Sequence, residues 1–466
     1  MAADGSLERQ ATQALAKFAA TLTFDDLPAP TVAALKRMIL DSLGTALAAT
    51  TLGDGCREVM SVMSDLGGKP ESTILTLGTK VAAPNAAFAN GALVHALNYD
   101  PIGTEIGHLG VICLTAPLAV AEAVGGVSGR KFLAASAVAC EMTARVTAAI
   151  ARTGRRPSEK FLSGQLLNYF GAAAGAGRIL DLDPAQMQSA LGMALMQMAG
   201  SRQIVLAGDP PAKAIYGAFP NQSGVLAALL SKAGLGAECD VFGEPGGLYP
   251  MIYGGACDSD TLTNGLGTNF LLDEVEFKPW PASNQVHSFI EAALNLVRDG
   301  IKPSDIVEVS ILANSQLRPW CEPLQIRRSP ENAAAAGNSI PFCVAAALAH
   351  GRLNLTDFTA DGLKDHETRA LADRLSYGLE NGLKGAQVSV KTRDGKDHVA
   401  RVETPLGHRS RPMSDADLEA KFRDCCNHAA TRPSAARVAQ LIEMISNLEE
   451  LDDMARLVAL TNGADQ

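Results

Sequence analysis

Apolar residues near the start of the chain recur at the spacing of one helix face. Leu7, Ala11, Leu15, Phe18 and Leu22 lie three or four residues apart behind Ser6, a residue suited to cap a helix start, and they predict a first helix. Pro30 opens a second helix through Leu35, Ile39, Leu43 and Leu47, because proline fits the first turn, where its missing N–H has no partner to lose. Further helical stretches read at 114–124, 130–150, 169–180, 184–199 and 218–233, and another holds NAAFANGALVHALNYD. Several are rich in small residues, as in GAAAGAGRIL (171–180), which lets backbones approach closely and marks buried helices. A short β-like stretch, STILTLG (72–78), interrupts them. No period of 30–47 residues recurs, which disfavours a helical solenoid.

The pattern changes near residue 265. NGLGTN reads as a turn, LLDEVEF (271–277) and IVEVSIL (306–312) as strands, and 285–298 as a helix. The segment 386–404 has two β-like arms around Asp394 and Gly395, the strongest hairpin signal in the chain. Residues 340–351 and 366–380 read as helical. After Pro405 helix returns, and SDADLEAKFRDCC (414–426) begins with a Ser-x-x-Asp capping pattern. The expected fold is mainly α: a large discontinuous all-α helical domain (1–267 and 406–466) with a smaller, lid-like α+β domain (268–405) inserted.

With 466 residues and 47% of them hydrophobic, the chain can bury a large core, which excludes global disorder. Aromatic residues are only 5%, so the apolar mass is aliphatic and alanine, as closely packed helices require. The net charge of −10 leaves no basic footprint for nucleic acid or an anionic membrane, and an anionic substrate would need a locally positive pocket. Nine cysteines, an odd number without a C-x-x-C pair, suggest reduced, mostly buried thiols in a cytoplasmic protein rather than a disulfide or zinc framework. The N-terminal stretch is amphipathic and carries Glu8, unlike a secretory or transit peptide. The longest apolar run, 111–127, is broken by Glu122 and falls short of the roughly 20 residues of a spanning helix, so no membrane partner is expected.

None of the nucleotide-binding, nucleophile-elbow or zincin motifs occurs, and the eight histidines are dispersed, so neither a cofactor nor a metal is expected. Catalysis would rest on scattered side chains, and three stretches concentrate them. HALNYDPIGTEIGHLG (95–110) crowds Asp100 and His108 into a Gly- and Pro-punctuated loop at a helix end, with His95 read as a satisfied core histidine. GDPPAKAIYGAFPNQSG (208–224) sets Lys213 between a Pro-Pro turn and an apolar helix, with Tyr216 three residues on. Desolvation there would lower the lysine toward a base-competent range, although snorkelling to solvent competes as an explanation. FKPWPASNQVH (277–287) offers Lys278 as a carboxylate clamp, or as a surface lysine beside a structural Pro-Trp-Pro. Arg145 is either another carboxylate partner or the buried mate of Glu141 one turn earlier, the second being favoured.

Together these stretches resemble the MmgE/PrpD family along nearly the whole chain, through LDSLGTALA (40–48), AAFANGALVHALNYD (86–100), PLAVAEAVGGVSGR (117–130), SIPFCVAAAL (339–348) and RPMSDADLEAKF (411–422). The resemblance implies a helical domain completed by the C-terminus, a small α+β lid, homodimers, and cofactor-free catalysis on small polycarboxylates between the domains. The family's site residues fall on His108, Lys213 and Lys278, with Asp100 beside them and Asn98, Lys278 and Arg145 as substrate-binding candidates. The chain departs from the pattern: Asn98 replaces an aspartate, KFLSG (160–164) replaces a His-Pro, Tyr216 replaces a histidine and Phe342 a tyrosine. These losses remove acids for a leaving hydroxyl while sparing proton abstraction. The resemblance therefore implies an isomerase that inverts the carbon between carboxylate and amine in iminodisuccinate by two-base chemistry, with Lys213 and His108 as the bases, Tyr216 beside them and Asp100 orienting His108. The alternative is a 2-methylcitrate dehydratase-like hydro-lyase or a cis-aconitate decarboxylase-like lyase.

Overall fold

The structure, a computed structural model, describes residues 6–154, 160–206, 208–243 and 245–462. It is mainly helical. Helices Ser6–Thr21, Ala29–Leu52, Ala83–His95, Gly110–Val124, Gly129–Ala151, Ser163–Ile179, Pro184–Gln197 and Ala218–Lys232 bury most of their apolar residues in one continuous core. The C-terminal helices Asp415–Asn427, Ala435–Ser446 and Ala455–Thr461 return to complete it. Small residues make this packing possible: a Cβ on Gly171 would lie 2.1 Å from the Thr143 hydroxyl oxygen, so only glycine lets Ser163–Ile179 approach Gly129–Ala151 so closely. The helix start expected at Ser6 falls there, but its capping side chain lies outside the described residues. At Asp415–Asn427 the capping box of Ser414 and Asp417 is formed.

A second core runs from Trp280 to Val402. Its four-stranded sheet has the order Leu375–Glu380, Ile306–Asn314, Ala386–Thr392, Asp397–Val402, with the first pair parallel and the others antiparallel. Alternate residues Ala386, Val388, Val390 and Thr392 are buried, the period-two pattern of a sheet covered on one face. Helix Asn284–Arg298 lies on the strands Ala386–Thr392 and Asp397–Val402, and Ile340–His350 packs against that helix with Phe342 sealed inside. The chain passes between the two cores at 276–280 and again at 403–413. These crossings lie side by side, the Phe277 N–H donating to the Gly407 carbonyl at 3.1 Å.

Three local expectations fail, each for a tertiary reason. Residues 271–277 do not form a strand: Leu271–Glu274 is a 3-10 turn because the buried Glu141 carboxylate accepts the N–H groups of Leu271 and Leu272. The helix at 366–380 stops at Asp373, and Leu375–Glu380 becomes a strand because Ile306–Asn314 offers it a parallel partner. In 72–78 only Ser72 and Thr73 pair, with Lys80–Val81, before Thr76 turns the chain with φ 71°. Among the described residues the one helix long and apolar enough to cross a membrane is Gly129–Ala151, and it is packed inside the first core. None of the nine cysteines is in a disulfide, and seven are buried.

His287 sits in the second core, with Nε2 donating to the Ala282 carbonyl at 3.1 Å and its ring 5.4 Å from that of Trp280. Burial, followed by the charge of Lys278, pushes its imidazole down to about 3. The unfolded chain therefore takes up a proton near the ordinary imidazole value of about 6.5 that the folded chain refuses. The contribution is whole above that value and is lost as pH falls toward about 3. Replacing His287→Gln keeps an amide donor but removes the titration. Urea melts between pH 6.5 and 4 should show a stability slope shallower by up to about 1.4 kcal/mol per pH unit in the variant. Equal slopes would show that this imidazole is not buried neutral.

Candidate active site

Helix Ala83–His95 ends by delivering His95 into the first core. The next turn is made by Asn98, whose φ of 50° is a left-handed conformation that asparagine tolerates better than most residues. Asp100 follows, fully buried, and the chain folds into a two-stranded ribbon, Ile102–Gly103 against Gly107–His108, that brings His108 back over it. Asp100 is the centre of the cluster. Its Oδ1 lies 3.3 Å from His95 Nδ1 and 3.7 Å from Lys278 Nζ, and its Oδ2 3.4 Å from His108 Nδ1. With Nδ1–H directed at the carboxylate, His108 Nε2 is left as acceptor for the Tyr216 hydroxyl at 3.3 Å. The Tyr216 ring also packs edge-on to His95, centroids 4.2 Å apart. Gly164 completes the setting, since a Cβ there would come 2.8 Å from the His108 ring. This glycine stands in the stretch where the family's histidine is missing.

The cations come from other parts of the chain. Lys278, on the first crossing between the cores, donates to the carbonyl and the side-chain oxygen of Asn98 at 2.9 Å each. Lys213 is held by a 3-10 turn, Pro211–Lys213, with its ammonium 6.0 Å from the Tyr216 ring centroid. Among the described residues it forms no ion pair, so its charge is available to an incoming anion. Arg327 reaches across from the second core to Asp209, 3.4 Å away, four residues before Lys213.

Burial dominates the protonation of these groups. It alone would raise Asp100, but the His95 imidazole, the Lys278 ammonium and the hydrogen bond from His108 outweigh it and hold the carboxyl well below its ordinary range. Burial pushes His95 down to about 4 and lowers His108, each partly restored by Asp100. Lys278 falls to about 8 because it is desolvated, with Asp100 opposing and Lys421 and Lys213 adding to the fall. Lys213 is lowered by burial, against Asp209 and Asp100. Burial and Asp100 both raise the Tyr216 phenol, which stays protonated and can donate. His108 retains 16% side-chain exposure while Asp100 has none, which makes His108 the member of the pair that a bound molecule can reach.

Of the expected site residues, Asp100, His108, Lys213, Tyr216, Asn98 and Lys278 fall in this one region, and Arg145 does not. Its Nε pairs with Glu141 at 2.7 Å, and its other nitrogens donate to the carbonyls of Thr261, Leu262, Asn264 and Asn269. It is a clamp on the 261–269 segment, and at 1% side-chain exposure it is out of a substrate's reach. The dispersal of histidines along the sequence was also misleading, because His95, Asp100 and His108 bring three metal-ligand atoms within 4.8 Å of one another. The Lys278 ammonium already answers the charge of that carboxylate, so the set fits a proton relay better than a cation site. Arg327, Asp209 and the central contacts of His95 were missed. Only Asp209, beside the Pro-Pro turn, had a local signal.

Comparison with known proteins places the chain beside one family. The MmgE/PrpD N-terminal domain matches residues 13–259 and the MmgE/PrpD C-terminal domain residues 280–449. The chain is 26% identical to a human cis-aconitate decarboxylase over 452 residues, covering 92% of this chain and 89% of that protein. It is 24% identical to a cis-aconitate decarboxylase of Aspergillus terreus over 496 residues, 99% of this chain and 97% of that protein. A mouse cis-aconitate decarboxylase is 25% identical over 455 residues, with 92% and 88% covered.

If Asp100 orients the relay, Asp100→Asn removes the one anion that supports protonation of His108. The His108 imidazole should then titrate lower than in the wild type, followed by NMR of carbon-13-labelled histidine in the unliganded protein. A rise or no change would show that the 3.4 Å contact does not govern it.

Proposed function

The chain belongs to the MmgE/PrpD family, and from that premise we propose that it is a cofactor-independent lyase acting on a small unsaturated polycarboxylate, with decarboxylation of cis-aconitate as its first candidate reaction. The observation that carries this reading is the single reachable imidazole, His108, held between a buried carboxylate and a phenol beside two buried ammonium groups. The names of the relatives support it over the epimerase expected from the sequence.

The chemistry asks for what this cluster offers. In an allylic decarboxylation, the electrons of the breaking carbon–carbon bond form a new double bond as carbon dioxide leaves. The old double bond moves its pair onto the neighbouring carbon, which takes a proton. One acid on one face suffices. His108 supplies it: bound carboxylates offset the burial that keeps the empty site's imidazole neutral, and Asp100 holds its Nδ1 so that Nε2 carries the transferable proton. Lys213 and Lys278 grip the carboxylates that remain on the product, and their low-dielectric setting strengthens that grip. Tyr216 donates to Nε2 once the proton has left. Arg327, on the second core, offers a third cation when it exchanges Asp209 for substrate.

A second reading, inversion of iminodisuccinate, has one observation in its favour. Burial lowers the proton affinity of both Lys213 and His108, so either could take the α-proton while the other, in its protonated form, returns one to the opposite face. Incubating the purified protein separately with cis-aconitate, 2-methylcitrate and each iminodisuccinate isomer, with NMR detection, separates the readings. Release of carbon dioxide with new vinyl signals from cis-aconitate is the expected outcome. Inversion of iminodisuccinate with cis-aconitate untouched would replace the lyase by the epimerase. Activity should survive dialysis against a strong chelator. His108→Asn should lower kcat about 10²- to 10⁴-fold, the usual worth of a general acid. A His108→Asn variant with near wild-type kcat would remove this residue from the proton transfer.

A further inference from the structure

Next to the cluster lies a second buried pair that the chemistry above does not use. Lys421, from the C-terminal helix Asp415–Asn427, points into the first core and meets Asp41 of helix Ala29–Leu52 at 2.7 Å. The lysine side chain is 4% exposed and the aspartate fully buried. The ammonium also donates to the Tyr99 carbonyl at 2.8 Å and the Lys278 carbonyl at 3.1 Å, and it stands 3.7 Å from the Tyr99 ring centroid. Two of its protons are thereby placed on carbonyls while its charge is met by Asp41. The two carbonyls belong to the two segments that carry the relay: Tyr99 precedes Asp100, and Lys278 holds the site ammonium. A further bond, from the Tyr99 hydroxyl to the Pro279 carbonyl at 3.0 Å, joins the same two segments.

A buried ion pair contributes little net stability, because desolvating both charges offsets their attraction, so stability alone is a weak reason for this arrangement. We propose that Lys421 and Asp41 are positioning residues for the proton transfer: the ammonium, held by Asp41, ties the Tyr99 and Lys278 segments together and so fixes Asp100 against His108 and Lys278. Neither residue touches the substrate. The inference rests on the acid–base reading of the cluster. The charges facing Lys278 are Asp100, Lys421, Lys213 and Asp41, with His287 nearby, so Lys421 and Asp41 also act on it directly with opposite signs.

The decisive variant is the double substitution Lys421→Met with Asp41→Leu. It replaces the pair by apolar groups of similar size, and it removes one charge of each sign, so direct charge effects on the relay nearly cancel. The first readout is the His108 titration midpoint, by NMR of carbon-13-labelled histidine in the full-length unliganded protein. The second is kcat and KM on the substrate identified by the screen. With Asp100 loosened from His108, the midpoint should fall by about half a unit or more. In turnover, kcat should fall about tenfold with KM changed less than threefold. A thermal melt near that of the wild type would set these losses apart from unfolding. Asp41→Asn, nearly the same shape with Lys421 retained, should lower the midpoint in the same direction and keeps the question open to test if the double variant does not fold. An unchanged or raised midpoint in a folded variant overturns the proposal. The titration needs no substrate, so failure of the lyase reading would leave this arm intact, and a lowered midpoint without turnover of any polycarboxylate would overturn only that reading.

Discussion

Everything at the candidate site depends on keeping one carboxylate charged where water does not reach. Asp100 is fully buried, and burial alone would protonate it. It stays ionised because an ammonium and two imidazoles crowd around it. Each neighbour depends on the carboxylate in return, since it restores part of the proton affinity that burial takes from His95, His108 and Lys278. A cluster of this kind is set by geometry. Moving any member by an ångström changes the charge state of the rest.

The charges also explain how a protein of net charge −10 could hold a polyanion. Around the site Lys213, Lys278, Arg327 and Lys421 face Asp100, Asp209 and Asp41. The surplus is local and positive, and it is concentrated on Lys213, which forms no ion pair among the described residues. Global charge is a property of the whole surface and says nothing about the interior.

Much of the helical layer was legible because alanine, glycine and leucine at spacings of three and four leave few other solutions. Leu375–Glu380 was not, because its strand character comes from a partner nearly seventy residues earlier and not from its own residue types. At the site, Asp100, His108, Lys213 and Lys278 stood out as polar residues in Gly- and Pro-marked loops, the places where backbone turns toward a cleft. Arg145 misled because an arginine one turn from a glutamate reads the same whether its other nitrogens face substrate or carbonyls. Arg327 carried no local mark at all. Lys421 did carry one, unread: it shares a helix face with the buried Leu418, Phe422 and Cys425, where a lysine needs a buried partner.

The side-by-side crossings between the two cores bear on how such a chain is assembled as a gene. Phe277 and Gly407 are 130 positions apart in sequence yet joined by one hydrogen bond of 3.1 Å. A coding segment spliced in or out at that point would open or close a gap no wider than a β-bridge, leaving the helices on either side in register. Asp100, His108 and Lys213 all lie outside that segment, whereas Lys278 and Arg327 lie within it. Recombination at this joint would exchange Lys278 and Arg327 together while Asp100, His108 and Lys213 were inherited unchanged, so the two parts of the cluster can diverge on separate evolutionary clocks.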